Sequence, residues 1–201
     1  MSYNQISTLS PKINQLTNLK KLNLFYNNLN DENILAICNL NQLEELDIGG
    51  NEIKNLPKNF SNLNQLRFLY IDNRFSEGVP TGTSLKCFPR SVFSLIKLES
   101  LSVAGQEIKY IPEEIGKLTS LRELNLYGNL FKEIPKEFSN LSNLEILNID
   151  ANCVGSTSLC DEIFLIPLEF CNLKKMKILR ASSRKINTLE LKKCLNNLSI
   201  E

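Results

Sequence analysis

The sequence predicts an α/β solenoid: a curved rod with a parallel β-sheet on its concave face and short helical or irregular segments on its convex face. Three observations carry this. A block of about 23 residues recurs along the chain, a period in the range that marks stacked structural repeats. Its clearest copies keep the spacing LxxLxLxxNxL followed by a Leu-Pro or Ile-Pro step, as in Leu43, Leu46, Ile48, Asn51, Ile53, Leu56 and Pro57. No linker, charge block or second composition zone interrupts the 201 residues, so one domain, 1–201, is expected.

Tandem units start at Leu19, Leu43, Leu66, Leu98, Leu121, Leu144 and Met176, at spacings of 24, 23, 32, 23, 23 and 32 residues. Each 32-residue unit is a 23-residue unit with nine extra residues between the Asn place and the Pro place. Residues 1–18 form a partial unit in which Asn4, Ile6, Leu9, Ile13 and Leu16 keep the offsets.

Each feature of the block has a physical reason. Apolar residues two apart on a short strand point to the same side, here the interior. The ninth place is Asn because the chain turns there, and a buried amide bonds the backbone groups that the turn leaves open. Asn27, Asn51, Asn129 and Asn152 hold that place, with Asn4 in the partial unit. Arg74, Gln106 and Arg184 depart from it, which predicts altered turns, with Gln106 a poor substitute. Proline fixes φ and lacks a donor, which suits the irregular outer side. Phe60, Leu63, Phe138 and Leu141 are the inward residues of the convex segments.

The chain end and the insertions read differently. Leu191, Cys194, Leu195 and Leu198 follow helical spacing. They predict a helical cap over 189–200 or, equally, the convex segment of an eighth unit. Residues 76–86 read as a flexible loop, with Gly78, Pro80 and Gly82. Residues 154–165 open on Gly155-Ser156-Thr157-Ser158 and turn apolar at Ile163, Phe164 and Leu165.

Composition narrows the function. Net charge of +1 with scattered basic residues predicts no nucleic-acid partner. The chain has no His, so His-based triads, dyads and metal sites are excluded. No phosphate-binding glycine loop is present. Glu113-Glu114 and Glu44-Glu45 read as solvated faces. No catalytic residue, metal or cofactor is expected. Met1 to Leu19 lacks the basic and apolar regions of a secretory signal, and no apolar run is long enough to cross a membrane. Of six cysteines, Cys38, Cys171 and Cys194 sit on or beside apolar faces and read as small hydrophobes. Cys153 and Cys160 flank the second insertion and could close a loop. A reducing, cytoplasmic setting is expected, with a secreted or cell-surface setting as the alternative.

What remains is the concave face, formed by the third, fifth and seventh places of each unit. These are Lys21, Asn23 and Phe25; Glu45, Asp47 and Gly49; Phe68, Tyr70 and Asp72; Ser100, Ser102 and Ala104; Glu123, Asn125 and Tyr127; Ile146, Asn148 and Asp150; Ile178, Arg180 and Ser182. At a strand spacing of about 4.8 Å, seven strands span roughly 29 Å. Phe25, Phe68, Tyr70, Tyr127, Ile146 and Ile178 are large apolar groups expected to be exposed, and such clusters mark interfaces. Glu45, Asp47, Asp72, Glu123 and Asp150 make the middle of the arc acidic, with Lys21 and Arg180 at its ends. The expected partner is a protein or peptide offering a basic residue beside an apolar contact. Stabilisation of the sheet by stacking of Phe68 and Tyr70 is the alternative.

The repeat as a whole resembles the leucine-rich repeat family over nearly the entire chain. Pro57-Lys58-Asn59-Phe60 and Ile111-Pro112-Glu113-Glu114-Ile115-Gly116 resemble the 23-residue intracellular, Ras-associated class. That resemblance implies a scaffold or signalling adaptor, a class often working with small GTPases or kinases. Similar units occur in plant-type immune receptors and in bacterial leucine-rich repeat proteins. Three functions therefore compete: an intracellular protein-interaction module, a secreted or surface recognition or adhesion protein, and the repeat segment of a larger receptor or signalling enzyme.

Overall fold

The computed structural model describes residues 2–73, 75–76, 79–80, 84–152, 163–181 and 185–201. Eight strands form one sheet in chain order: Lys21–Asn23, Glu45–Asp47, Phe68–Tyr70, Ser100–Ser102, Glu123–Asn125, Ile146–Asn148, Ile178–Arg180 and Ser199–Ile200. Every neighbouring pair is parallel. The register aligns the third place of each unit, so Lys21, Glu45, Phe68, Ser100, Glu123, Ile146 and Ile178 run in one row.

The core lies directly behind this sheet. Leu43, Leu46, Leu66, Leu69, Leu98, Leu101, Leu121, Leu144 and Leu147 have no exposed surface. Burying each such side chain contributes about 2 kcal/mol, and only stacked neighbours provide the cover. The far wall is a row of short 3-10 helices, Lys58–Asn62, Arg90–Ser94, Glu113–Lys117, Lys136–Asn140 and Leu168–Asn172. Each follows a proline, namely Pro57, Pro89, Pro112, Pro135 and Pro167. Each turns a large side chain inward, such as Phe60, Ile115, Phe138 and Phe170. The first complete unit has no such proline and forms an α-helix, Asp31–Ile37, with a reciprocal cap between Asn30 and Asn33.

The strands are short because the chain turns at the eighth and ninth places. The eighth place is left-handed in five units: Tyr26, Gly50, Gly105, Gly128 and Ala151 have φ between 54° and 66°. Glycine takes this conformation without strain. At the ninth place the Asn amide is buried and bridges two units. Asn129 donates to Val103 O (2.8 Å) in the preceding unit and to Leu126 O (3.0 Å) in its own, and accepts from Ile108 N–H (3.2 Å). Asn51 repeats this with Leu24, Ile48 and Leu29.

The departures from the ladder resolve differently from the sequence expectation. Gln106 keeps two of the three bonds: it donates to Ile71 O of the preceding unit at 2.6 Å and accepts from Leu85 N–H at 2.7 Å, without the donation to its own unit that Asn129 makes. Arg74 and Arg184 lie outside the described residues, but amides nearby act in those units. Asn73 is buried and donates to Ser84 Oγ across the insertion and to Gly105 O in the next unit. Asn187 brackets Ile166, accepting from its N–H at 2.9 Å and donating to its carbonyl at 3.0 Å. Asn4 does not join the ladder. It follows a left-handed residue, Tyr3, and donates to Ser2 O two residues back, but it is exposed and bridges no second unit among the described residues.

Two further expectations are corrected, and one pair of alternatives is resolved. Of the two readings of the C-terminal segment, the structure has the convex segment of a repeat unit and not a helix over 189–200. A helix spans Thr188–Cys194, and Ser199–Ile200 then pairs with Ile178–Leu179 as the eighth sheet strand, so the segment completes an eighth unit. Cys171 and Cys194 are not independent small hydrophobes. They form a disulfide that ties the last 3-10 helix to the C-terminal helix. Cys38 does behave as one: it is buried, and burial pushes its thiol up to about 11. The first insertion is not wholly loop, since Phe75–Ser76 pairs antiparallel with Val79–Pro80. Cys153, Cys160 and most of the second insertion lie outside the described residues.

Replacing Asn129 by Ala should lower stability by about 3 kcal/mol, because buried carbonyl and amide groups lose their partner. Asn4→Ala should change it by under about 0.5 kcal/mol. Urea denaturation of both variants checks this; equal midpoints would contradict the ladder.

Candidate functional site on the concave face

The register places all eleven candidate residues on or beside one face: Glu45, Phe68, Glu123 and Ile146 at the third place, Asp47, Tyr70 and Arg180 at the fifth, Phe25, Asp72, Tyr127 and Asp150 at the seventh. The structure brings only some of them together. Tyr70, Asp72, Glu123, Ile146 and Arg180 line one hollow of about 320 Å³, with Ser100, Ser102, Asn125 and Asn148. A second hollow of about 390 Å³ adjoins it and shares Tyr70, Ser100, Glu123 and Ile146, adding Phe68 and the charged residues of the sheet rim.

Several candidates have structural work instead. The fifth-place Asn or Asp accepts from the seventh-place N–H and so closes the end of the strand. Asn23 does this for Phe25, Asp47 for Gly49, Asn125 for Tyr127 and Asn148 for Asp150. Ser102 lacks an acceptor of that reach. Asp72 replaces it from the neighbouring unit, accepting from both Ala104 N–H (2.7 Å) and the Ser102 hydroxyl. Glu45 holds Lys21 at 2.7 Å, and Arg180 holds Glu201 at 3.0 Å. Phe25 packs with Tyr3 and Tyr26, with ring centroids 5.3 Å apart. The aromatic and apolar candidates are half-buried rather than exposed, because neighbouring strands shield their flanks. Arg67 lies over the Phe68 ring at 5.4 Å.

Burial and lack of compensation set the electrostatics. Burial pushes the Asp47 carboxyl upward, with the carboxylates of Asp72 and Glu45 adding repulsion against the Gly49 N–H. Burial also raises Asp72, against the bonds from Ser102 and Ala104, and raises the Tyr70 phenol. Among the described residues no Lys or Arg makes an ion pair with Asp47, Asp72 or Glu123.

Two features went unread in the sequence. Ser100, Ser102 and Ala104 form a low floor between walls of larger side chains; three small residues at consecutive outward places were the available signal. The second places carry alternating charge, Lys20, Glu44, Arg67, Glu99, Arg122, Glu145 and Lys177. The pairs Lys20–Glu44, Arg67–Glu99 and Arg122–Glu145 close at 2.7 Å, and Lys177 closes on Glu145. Hydrogen bonds from these cations hold Glu44, Glu99 and Glu145 below the usual carboxylate range. Exposed pairs are weak singly, so the row favours this order of units without dominating stability.

Among the described residues no group of His, Cys, Asp and Glu is arranged to hold a metal ion, and no helix is long and apolar enough to cross a membrane. A model described as a leucine-rich repeat region matches residues 79–201, and one for the single leucine-rich repeat matches 18–40 and 42–63. The chain belongs to the leucine-rich repeat family. No curated protein matches. Among solved structures, a leucine-rich repeat protein of Leptospira interrogans is 24% identical, with a TM-score of 0.65 over all of this chain and 59% of that one. A TDR receptor is 26% identical, with a TM-score of 0.75 over 97% of this chain and 32% of that one. The plant peptide hormone receptor RGFR1, solved in complex with RGF2, is 26% identical, with a TM-score of 0.68 over 100% and 34%. The leucine-rich repeat chain thus spans from 32% to 59% of the length of these chains.

Asp47→Asn should raise stability at neutral pH, because Asn makes the same turn bond at three equivalent places and carries no buried charge. The sign follows from the shift. A carboxyl raised in the fold opposes folding once ionised, so the gain is present above its raised value. It disappears as pH falls below the unfolded value of about 3.9. Urea midpoints from pH 3 to pH 8 test this, and a gain that persists at pH 3 would refute it.

Proposed function

We propose that this chain is a protein-interaction module that holds a partner protein or peptide on its concave sheet, without catalysis, in the manner of a scaffold or signalling adaptor. The observation that carries the reading is the uncompensated acidity of the face. Both of its described cations are bonded to carboxylates, while among the described residues Asp47, Asp72 and Glu123 make no ion pair. A partner offering Lys or Arg beside an apolar group supplies what is missing, and half-buried Phe68, Tyr70 and Ile146 supply the apolar contact. The same acidity disfavours nucleic acid. The similar receptor solved with RGF2 supports a peptide-sized occupant. The Leu-Pro-x-x-apolar pattern supports the 23-residue intracellular class and a cytoplasmic setting.

One observation favours a second reading, a secreted or surface recognition or adhesion protein. Cys171 and Cys194 are joined, and such bonds persist in oxidising compartments.

Both readings make distinct predictions. Affinity capture by Tyr70→Ala/Glu123→Lys should recover far less partner than the parent chain. Tyr110→Ala, at a 58% exposed position beyond the turn, should recover it fully. Equal recovery by the concave variant would end the proposal. Asp72 is a poor probe because its removal also opens the turn at Ala104. For the setting, native protein is alkylated after denaturation without reductant and read by mass spectrometry. Unlabelled Cys171 and Cys194 are expected for the surface reading, and labelled ones for the cytoplasmic reading.

A further inference from the structure

We infer that the hollow over Ser100 and Ser102 is a slot for one lysine or arginine side chain of the partner, which makes this strand the specificity-determining element of the concave sheet. The inference rests on the concave-face reading above and deepens it by naming where the basic group enters.

The argument begins with volume. Ser100, Ser102 and Ala104 are nearly fully covered, so the sheet dips at this strand. Tyr70 and Asp72 stand on one side, and Glu123, Asn125 and Ile146 on the other. No second dip of this kind forms at the other small third-strand neighbour, Gly49, because the Phe25 ring fills it: a Cβ there would meet Phe25 Cδ2 at 3.2 Å and Asp72 O at 3.1 Å.

The chemistry of the walls selects the occupant. Both bonds that the Asp72 carboxylate accepts fall on Oδ1, so Oδ2 remains for a ligand. Glu123 is exposed and makes no ion pair among the described residues. Two carboxylates in one hollow call for a donor-only group, and ammonium and guanidinium are donors without acceptors. Their methylene stems lie on Tyr70 and Ile146 while the charge reaches the acids, and the Tyr70 ring face adds attraction for the cation. An apolar side chain would desolvate Asp72 without compensation, and an acidic one would be repelled. Arg180 does not neutralise the hollow because Glu201 holds it.

The test is selection of displayed random octapeptides on the full chain, with sequencing of the recovered clones. Lys and Arg together should be enriched about tenfold at one peptide position, a preference worth about 1.4 kcal/mol. Glu123→Gln should reduce the enrichment to about threefold or less, and Ser100→Met, which fills the slot, should abolish it. Glu113→Gln, an exposed carboxylate on the convex 3-10 helix, should leave it unchanged. Recovery of no clones, absence of basic enrichment, or enrichment that survives both slot variants would overturn the slot. Where the parent chain recovers clones, their loss in Phe68→Ala would leave the wider concave-face reading standing; clones indifferent to every concave variant, or no clones at all, would sink both.

Discussion

The structure depends on one interaction, the buried side-chain amide at the turn after each strand. A three-residue strand that must reverse leaves carbonyls and N–H groups pointing into an apolar interior, where each unmet group costs about 1–3 kcal/mol. One amide meets donors and acceptors at once. Asn129 joins Val103, Leu126 and Ile108 in this way. Because its partners lie in two units, the bond that makes a turn also stacks the repeats. The variants obey the same demand. Gln106 reaches with a longer arm, and Asn73 and Asn187 act from shifted places.

Such stacking fixes which side chains face outward, but not which of them are available. The fifth-place Asn and Asp residues are committed to closing their own strands. Asp72 is committed to its neighbour's turn because Ser102 is too short to do it. The same shortness of Ser100 and Ser102 opens the hollow. A local economy in side-chain size therefore creates both an unusual cross-strand bond and the hollow beside it.

The charged rim serves the arrangement in a different way. Alternation of sign at the second place lets each charge meet its opposite in adjoining units, and Glu145 meets two. Slipping the order of units would bring like charges together. At the C-terminal end the Cys171–Cys194 bond fastens the last helix, and Glu201 beyond it holds Arg180. The last helix, the last described strand and the Arg180 edge of the concave face are thus tied together.

The amino-acid pattern alone determined the repeat boundaries, the parallel sheet, the row of inward leucines and the identity of the outward places, because a period of about 23 residues is a covalent fact and each place has a fixed direction. It also indicated the acidic character of the middle of the arc. Only the tertiary structure decided that Asp72 closes the turn at Ala104, that Glu45 and Arg180 are held by Lys21 and Glu201, that Cys171 meets Cys194, and that Ser199–Ile200 adds an eighth strand beyond the last helix. Each of these is a contact between residues about 20 or more positions apart, or a choice between partners of equal chemistry. Spacing within one unit carries no information about which neighbour a side chain will reach across the stack.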